Sequence, residues 1–218
     1  LRFGEQDAAC AGVRWLLDLR NTDGGWPTFC RGWGRLPFDR SSPDITAHAL
    51  RALLAFDPER GDADCRHAVK RGFAYLAAIQ RPDGAWTPLW FGNQSTADKS
   101  NPVFGTSRVL LAYADSEICG VETGKGVQYL LNSQNQDGGW GGDRGTASSI
   151  EETALAVAAL SRLEHSFDAH DAIWRGIGYL VLRIEDASWT IPAPIGLYFS
   201  SLWYSERLYP IIWTVEAL

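Results

Sequence analysis

Three stretches of the 218-residue chain carry one signature: RNTDGGW (Arg20–Trp26), QRPDGAW (Gln80–Trp86) and QNQDGGW (Gln134–Trp140). Each follows a Gly-x-x-aromatic-Leu segment: Gly12–Leu16, Gly72–Leu76 and Gly126–Leu130. In all three the aromatic (Trp15, Tyr75 or Tyr129) precedes the tryptophan by 11 residues. A fourth copy, Gly176–Leu180 followed by RIEDASW (Arg183–Trp189), is one residue shorter and lacks the glutamine. Self-similarity of this length is the mark of a repeat architecture, in which one supersecondary unit cannot bury its apolar face alone and must stack on its neighbours.

A second helix start follows each signature. SPDITAHAL begins at Ser42, Asn101-Pro102 opens the next, and Ser149-Ile150-Glu151-Glu152-Thr153-Ala154 the third. Ser or Asn before Pro or an acid, then apolar periodicity, is a helix-start signal. The unit is therefore a helix, a Gly-rich turn, a loop and a second helix. About four hairpins and eight helices are expected, with no convincing strand: an all-α fold of the α/α toroid (partial α/α barrel) type. The second helices (ALRALLAF, VLLAYA, LAVAAL) are the more apolar and should form the inner layer, with the more charged first helices outside. Asp-Gly-Gly lets the chain leave the outer helix through positive φ. The tryptophan can then fold back onto a neighbouring unit, and the glutamine can bond backbone groups left unpaired at the next helix start. Trp26, Trp86, Trp140 and Trp189, with Gln80 and Gln134, read as structural clasps, since large aromatics dominate packing.

The net charge of −6 argues against nucleic acid as a partner. The four cysteines form no CxxC, and no Cys/His spacing matches a zinc site, so neither metal nor cofactor is expected; reduced thiols in a cytoplasmic protein are. There is no signal peptide and no apolar run long enough to span a membrane. The chain begins at Leu1 and contains no methionine, as expected of a fragment.

The repeated signature resembles the QW motif of squalene–hopene and oxidosqualene cyclases, over nearly the whole chain. SPDITAHAL resembles the segment in which those enzymes carry the histidine that supports the catalytic acid. DGAWTPLW (Asp83–Trp90) resembles the segment that places a tryptophan in their cavity, and PIGLYFSSLWYSERLYP (Pro194–Pro210) their terminal aromatic helix. The resemblance implies the C-terminal part of a class II terpene cyclase lacking upstream repeats, and inactive alone. The implied reaction is protonation of a squalene-like polyprene, a cationic ring cascade, then quenching. It needs a strong acid, a dry cavity and aromatic faces along the cation's path.

In that resemblance His48 partners the acid, and Asp44, one turn earlier on the same face, orients it or joins its network. The aromatic and loop candidates for the substrate wall are Phe29, Cys30, Trp33, Trp90, Phe104, Tyr198, Phe199, Trp203 and Tyr204. The family's acid motif, Asp-x-Asp-Asp-Thr-Ala, is not in these 218 residues, and one unit upstream of Leu1 is its expected place. Glu151-Glu152-Thr153-Ala154 imitates it, but first-turn acids favoured by the helix dipole explain that pair equally. The stretch from Phe91 to Val103 reads as an expanded loop. Peripheral contact with the inner face of the membrane, through Leu197–Phe199 and Leu208–Trp213, and a homodimer of the complete protein are further implications.

Three other readings stay open. A protein prenyltransferase β-subunit relative would hold zinc with His48, Cys65 and His67. A toroid without catalysis would serve as a binding scaffold. A glycan-processing toroid would use Glu151 and Glu152.

Overall fold

The computed structural model describes residues 3–28, 39–57, 61–197 and 202–218. Among these lie eight α-helices, α1 (Phe3–Leu19), α2 (Pro43–Phe56), α3 (Ala63–Ile79), α4 (Pro102–Ser116), α5 (Val121–Ser133), α6 (Ile150–Leu163), α7 (His170–Glu185) and α8 (Tyr209–Ala217). They alternate as the repeat predicts. The chain divides into two compact units, Leu1–Ile79 and Gln80–Leu218.

In the first unit α2 packs on α1 and α3, and a two-residue strand β1 (Trp26–Pro27) pairs antiparallel with β2 (Ser41–Ser42). In the second, α6 lies against α4, α7 and α8. The apolar second helices are the buried ones. Every residue of α4 from Pro102 to Tyr113 is buried, and every residue of α6 from Ile150 to Leu160.

The signature does the same physical job three times. The backbone N–H of Trp26, Trp86 and Trp140 donates to the hydroxyl of Thr46, Thr106 and Thr153, at 3.0, 3.0 and 2.9 Å. All three rings are fully buried. Each ring lies against the glycine that opens the following Gly-x-x-Tyr-Leu segment: a Cβ added to Gly72, Gly126 or Gly176 would stand 3.1, 2.8 or 2.8 Å from a ring carbon of Trp26, Trp86 or Trp140. That is why a glycine begins these segments.

The turn glycines Gly84 and Gly138 have φ of +94° and +88°. A Cβ on them would meet the carbonyl oxygens of Lys125 and Arg175 at 2.3 and 2.5 Å. Gly138→Ala is expected to cost about 1–3 kcal/mol, through left-handed backbone strain plus a clash with rigid helix backbone, read as a shift in urea midpoint.

The glutamine acts with the opposite polarity to the one expected. Backbone groups left over at a helix start are N–H donors, yet Gln80 and Gln134 donate. Gln80 Nε2 bonds the carbonyls of Gly84 and Glu122, both at 2.9 Å, and Gln134 Nε2 those of Gly138 and Ala172, both at 2.8 Å. One amide thus ties its own turn to the first turns of the next outer helix. In the fourth copy Ala187 takes the left-handed position at φ +61°, and Trp189, in a 3-10 turn (Ser188–Thr190), is only half-buried.

Strands are the clearest departure from the all-helix expectation. β3 (Phe91–Asn93), β4 (Ile195–Leu197) and β5 (Leu202–Tyr204) form an antiparallel sheet in the order β3-β4-β5. Within the segment Pro194–Pro210, expected as an aromatic helix, the described residues form the antiparallel strands β4 and β5 and then the start of α8. Gly196 accounts for part of this: its added Cβ would stand 2.1 Å from the Leu202 carbonyl oxygen, so the strands approach where no side chain intervenes. Pro210 lies in the first turn of α8, where the missing N–H costs nothing. The stretch from Phe91 to Val103 is a strand and a bonded turn: Thr96 Oγ1 donates to the carbonyls of Asn93 and Ser100, and Asn93 N to Lys99 O.

Candidate active site

The tryptophan–threonine bond fixes a common register, so equivalent positions at the starts of the inner helices can be compared. Two residues before the threonine stand Asp44, Phe104 and Glu151. All three are buried, at 5%, 4% and 2% exposure. Two of the three inner helices therefore hold an acid where burial makes charge expensive.

In α2, Pro43 takes the first helical position and Asp44 lies in the first turn. The N-cap Ser42 makes no side-chain bond to the helix backbone; its hydroxyl donates to the Asp44 carboxylate. His48 follows one turn later on the exposed side of the helix. Burial first, then Asp23 and Asp44, push the Tyr75 phenol up.

The Glu151–Glu152 pair is where sequence reasoning fell short. First-turn acids favoured by a helix dipole are normally solvated, whereas both of these are 2% exposed. Ser149 caps the helix by accepting from Glu152 N at 3.1 Å, and its hydroxyl donates back to the Glu152 carboxylate. Glu152 Oε1 accepts from Asn93 Nδ2 (3.0 Å) and Asn101 Nδ2 (2.7 Å). Glu151 Oε1 accepts from the Ala193 N–H at 2.7 Å, while its Oε2 is buried with no hydrogen-bond partner. Burial first, and the Glu152 charge second, push Glu151 up to about 7. The signal present in the sequence was local: Glu151 stands two residues before Thr153, as Asp44 stands two before Thr46.

A carboxyl whose folded pKa is raised costs no stability below its unfolded value near 4.5, and an increasing amount as pH climbs to about 7. Above that the loss is constant, on the order of 3 kcal/mol. Glu151→Gln is expected to remove most of that slope, measured by urea unfolding at pH about 5 and about 8.

The aromatic candidates divide. Phe104 stacks on Phe91 with ring centroids 3.7 Å apart, lies 6.0 Å from Trp213, and has the Arg108 guanidinium 5.3 Å from its centroid. Its faces are thus engaged by protein, including a cation. Trp90 is half-buried, next to the start of β3. Trp203 is half-buried on β5 opposite Gly196, and Tyr204 is exposed. Phe29, Cys30, Trp33, Tyr198 and Phe199 lie outside the described residues.

Among the described residues no three His, Cys, Asp or Glu side chains gather as a metal site. The Cys65 thiol, proposed above for a zinc reading, is pushed up to about 11, first by burial and then by Asp62, which disfavours the thiolate a zinc ion binds. No helix among the described residues is long and apolar enough to cross a membrane.

Known proteins are similar to this chain over most of its length. The chain is 36% identical over 166 residues to drimenyl diphosphate synthase of Streptantibioticus cattleyicolor, a match covering 73% of this chain and 28% of that protein. It is 28% identical over 206 residues to the squalene–hopene cyclase of Bradyrhizobium diazoefficiens, covering 82% and 29%. Among solved structures, ent-copalyl diphosphate synthase from Streptomyces platensis superposes with a TM-score of 0.64 at 23% identity, over 93% of this chain and 35% of that one, and so shares its α/α toroid fold. The chain spans less than a third of the length of these curated relatives. The profile of the squalene-hopene cyclase C-terminal domain matches residues 3–217, and the chain belongs to that family.

Proposed function

We propose that these residues are the C-terminal part of a class II terpene cyclase, which protonates a polyprene and closes its rings through a cationic cascade. The observation that carries this reading is the buried carboxyl of Asp44 at the start of an inner helix, with His48 one turn on, in a chain of this family. An isolated alkene is a poor base, so its protonation needs an acid whose conjugate base is stabilised as it forms. The 218 residues contain no Asp-x-Asp-Asp-Thr-Ala segment, so the proton donor is supplied outside them. Asp44 and His48 act on that donor: the histidine by hydrogen bonding to the carboxylate left behind, the aspartate by holding the histidine.

Trp90, Trp203 and Tyr204 are the described side chains best suited to the cavity wall, because they keep accessible surface where Phe104 is buried. Ring faces there would attract the migrating charge by up to about 2 kcal/mol each when desolvated. A polyprene is insoluble, and uptake from a membrane surface fits the exposed Leu208, Ile212 and Val215 around α8.

The test is to incubate the intact protein separately with squalene and with a linear prenyl diphosphate, and to analyse extracts, after dephosphorylation in the second case, by mass spectrometry for ring products. Cyclised isomers of either substrate support the reading and identify the substrate class. Recovery of both substrates unchanged by a folded protein that contains the acid motif refutes it.

A further inference from the structure

The two adjacent glutamates at the start of α6 hold the two strands of one antiparallel pair. Glu152 takes β3 through Asn93, and through Asn101 it also takes the cap of α4, whose Oδ1 accepts from Phe104 N at 3.1 Å. Glu151 takes the backbone of Ala193, two residues before β4. Asn93 and Ile195 are partners in the ladder, so the carboxyls grip the sheet at one end from both strands. From there the register is rigid: Ile195 faces Tyr204 and Gly196 faces Trp203. A Cβ on Gly142 would stand 2.6 Å from the Cβ of Asn93, which leaves Asn93 little room to move.

Such a pair is costly as a mere anchor. Two amides could make these bonds without placing two carboxyls side by side in a buried site. We propose that Glu151 and Glu152 form a two-pronged clamp that sets the position of the β4–β5 hairpin, and with it Trp203 and Tyr204, over the first turn of α6. They are positioning residues for product choice, acting through the hairpin and not on the substrate itself. This rests on the cyclase reading above.

The clamp is sensitive to protonation. The groups facing Glu151 are Glu152 on its own helix, the neutral Ala193 peptide, and Tyr179 from α7, whose phenol is raised by burial and whose ring lies under the Arg183 guanidinium at 4.9 Å. Asn93 and Asn101, on the Glu152 side, are uncharged. With one proton on Glu151 the pair carries a single charge. Once that proton leaves, near neutrality, the two carboxylates repel in a buried site with one oxygen unpartnered, and the hairpin is held less firmly.

The experiment uses the intact enzyme and two readouts: the ratio of cyclised products, and hydrogen–deuterium exchange of peptides spanning β3 and β4. Glu151→Ala removes the acceptor for Ala193 and is expected to change the product ratio about threefold or more, the effect of one lost hydrogen bond, with faster exchange in β4. Glu151→Gln keeps an acceptor oxygen and loses the titration. It should hold the product ratio of the unaltered enzyme at low pH and abolish its drift across neutrality. Should Glu151→Ala fail to fold, Ala193→Pro deletes the donor from the other side and should reproduce its effect.

Faster exchange with an unchanged product ratio overturns the positioning role, as does a glutamine variant that behaves like alanine. Unchanged exchange in both variants overturns the clamp itself. If the unaltered enzyme makes no ring product, the cyclase reading falls and product choice falls with it, while exchange still reports whether the carboxyls hold the hairpin.

Discussion

Replacing Trp140 with alanine is expected to lower the unfolding free energy by about 3–5 kcal/mol, a large share of what holds a domain of this size together. The indole is fully buried and donates through Nε1 to the Leu130 carbonyl at 2.8 Å. Its far edge fills the space left by Gly176, between Val157 and the next outer helix. Truncation leaves a cavity walled by helix backbone, which cannot collapse to fill it, and an unpaired carbonyl. The bond from residue 140 N to Thr153 survives, so the loss measures the ring alone. Two controls make the prediction specific. Trp189 holds the same place in the degenerate fourth copy but is half-buried, and Trp15 is 59% exposed; alanine at either is expected to cost roughly 1 kcal/mol or less. Urea titration of the three variants decides it. Equal losses would mean that the repeat signature does not clasp units as described.

The helices were legible because the repeat states them several times. A glycine that recurs before Tyr-Leu, or a Gly pair before tryptophan, has few explanations other than close approach and positive φ. The hairpin was not legible, because it occurs once. PIGLYFSSLWY has the aromatic content of a buried helix as much as of a strand, and its partner β3 lies about a hundred residues away in the sequence, beyond the reach of local periodicity. The polarity of Gln80 and Gln134 was missed for a different reason. An amide can donate or accept, and composition does not say which; only the facing carbonyls of Glu122 and Ala172 decide.

For the site, Asp44 and His48 could be picked out by their resemblance to a known segment, and burial then distinguishes them: the acid is inside, the histidine exposed. Glu151 was underrated because an acid in a first turn has an ordinary explanation. What removes that explanation is tertiary: the sheet that covers the helix start, formed by strands the sequence did not announce.

Asp44→Asn in the intact protein is expected to lower kcat about 10²-fold or more, with KM nearly unchanged. That is the range for losing a group that assists proton transfer. The asparagine is nearly isosteric and can still accept from the Ser42 hydroxyl, so the start of α2 should keep its geometry, and the melting temperature should move little. What disappears is a buried carboxyl at the point where an inner helix begins, and with it the group proposed to hold His48. Phe104→Leu is the matched contrast. It alters the same register position one unit on, but inside a cluster where Phe91, Trp213 and Arg108 already occupy the ring. That variant should lose stability, about 1–2 kcal/mol for an imperfect core substitution, and little turnover per folded molecule. Steady-state kinetics with thermal melts on both variants separates the outcomes. If Asp44→Asn turns over like the unaltered enzyme, Asp44 is only a helix-start residue partnered by Ser42. The assignment of His48 through it would then fail as well.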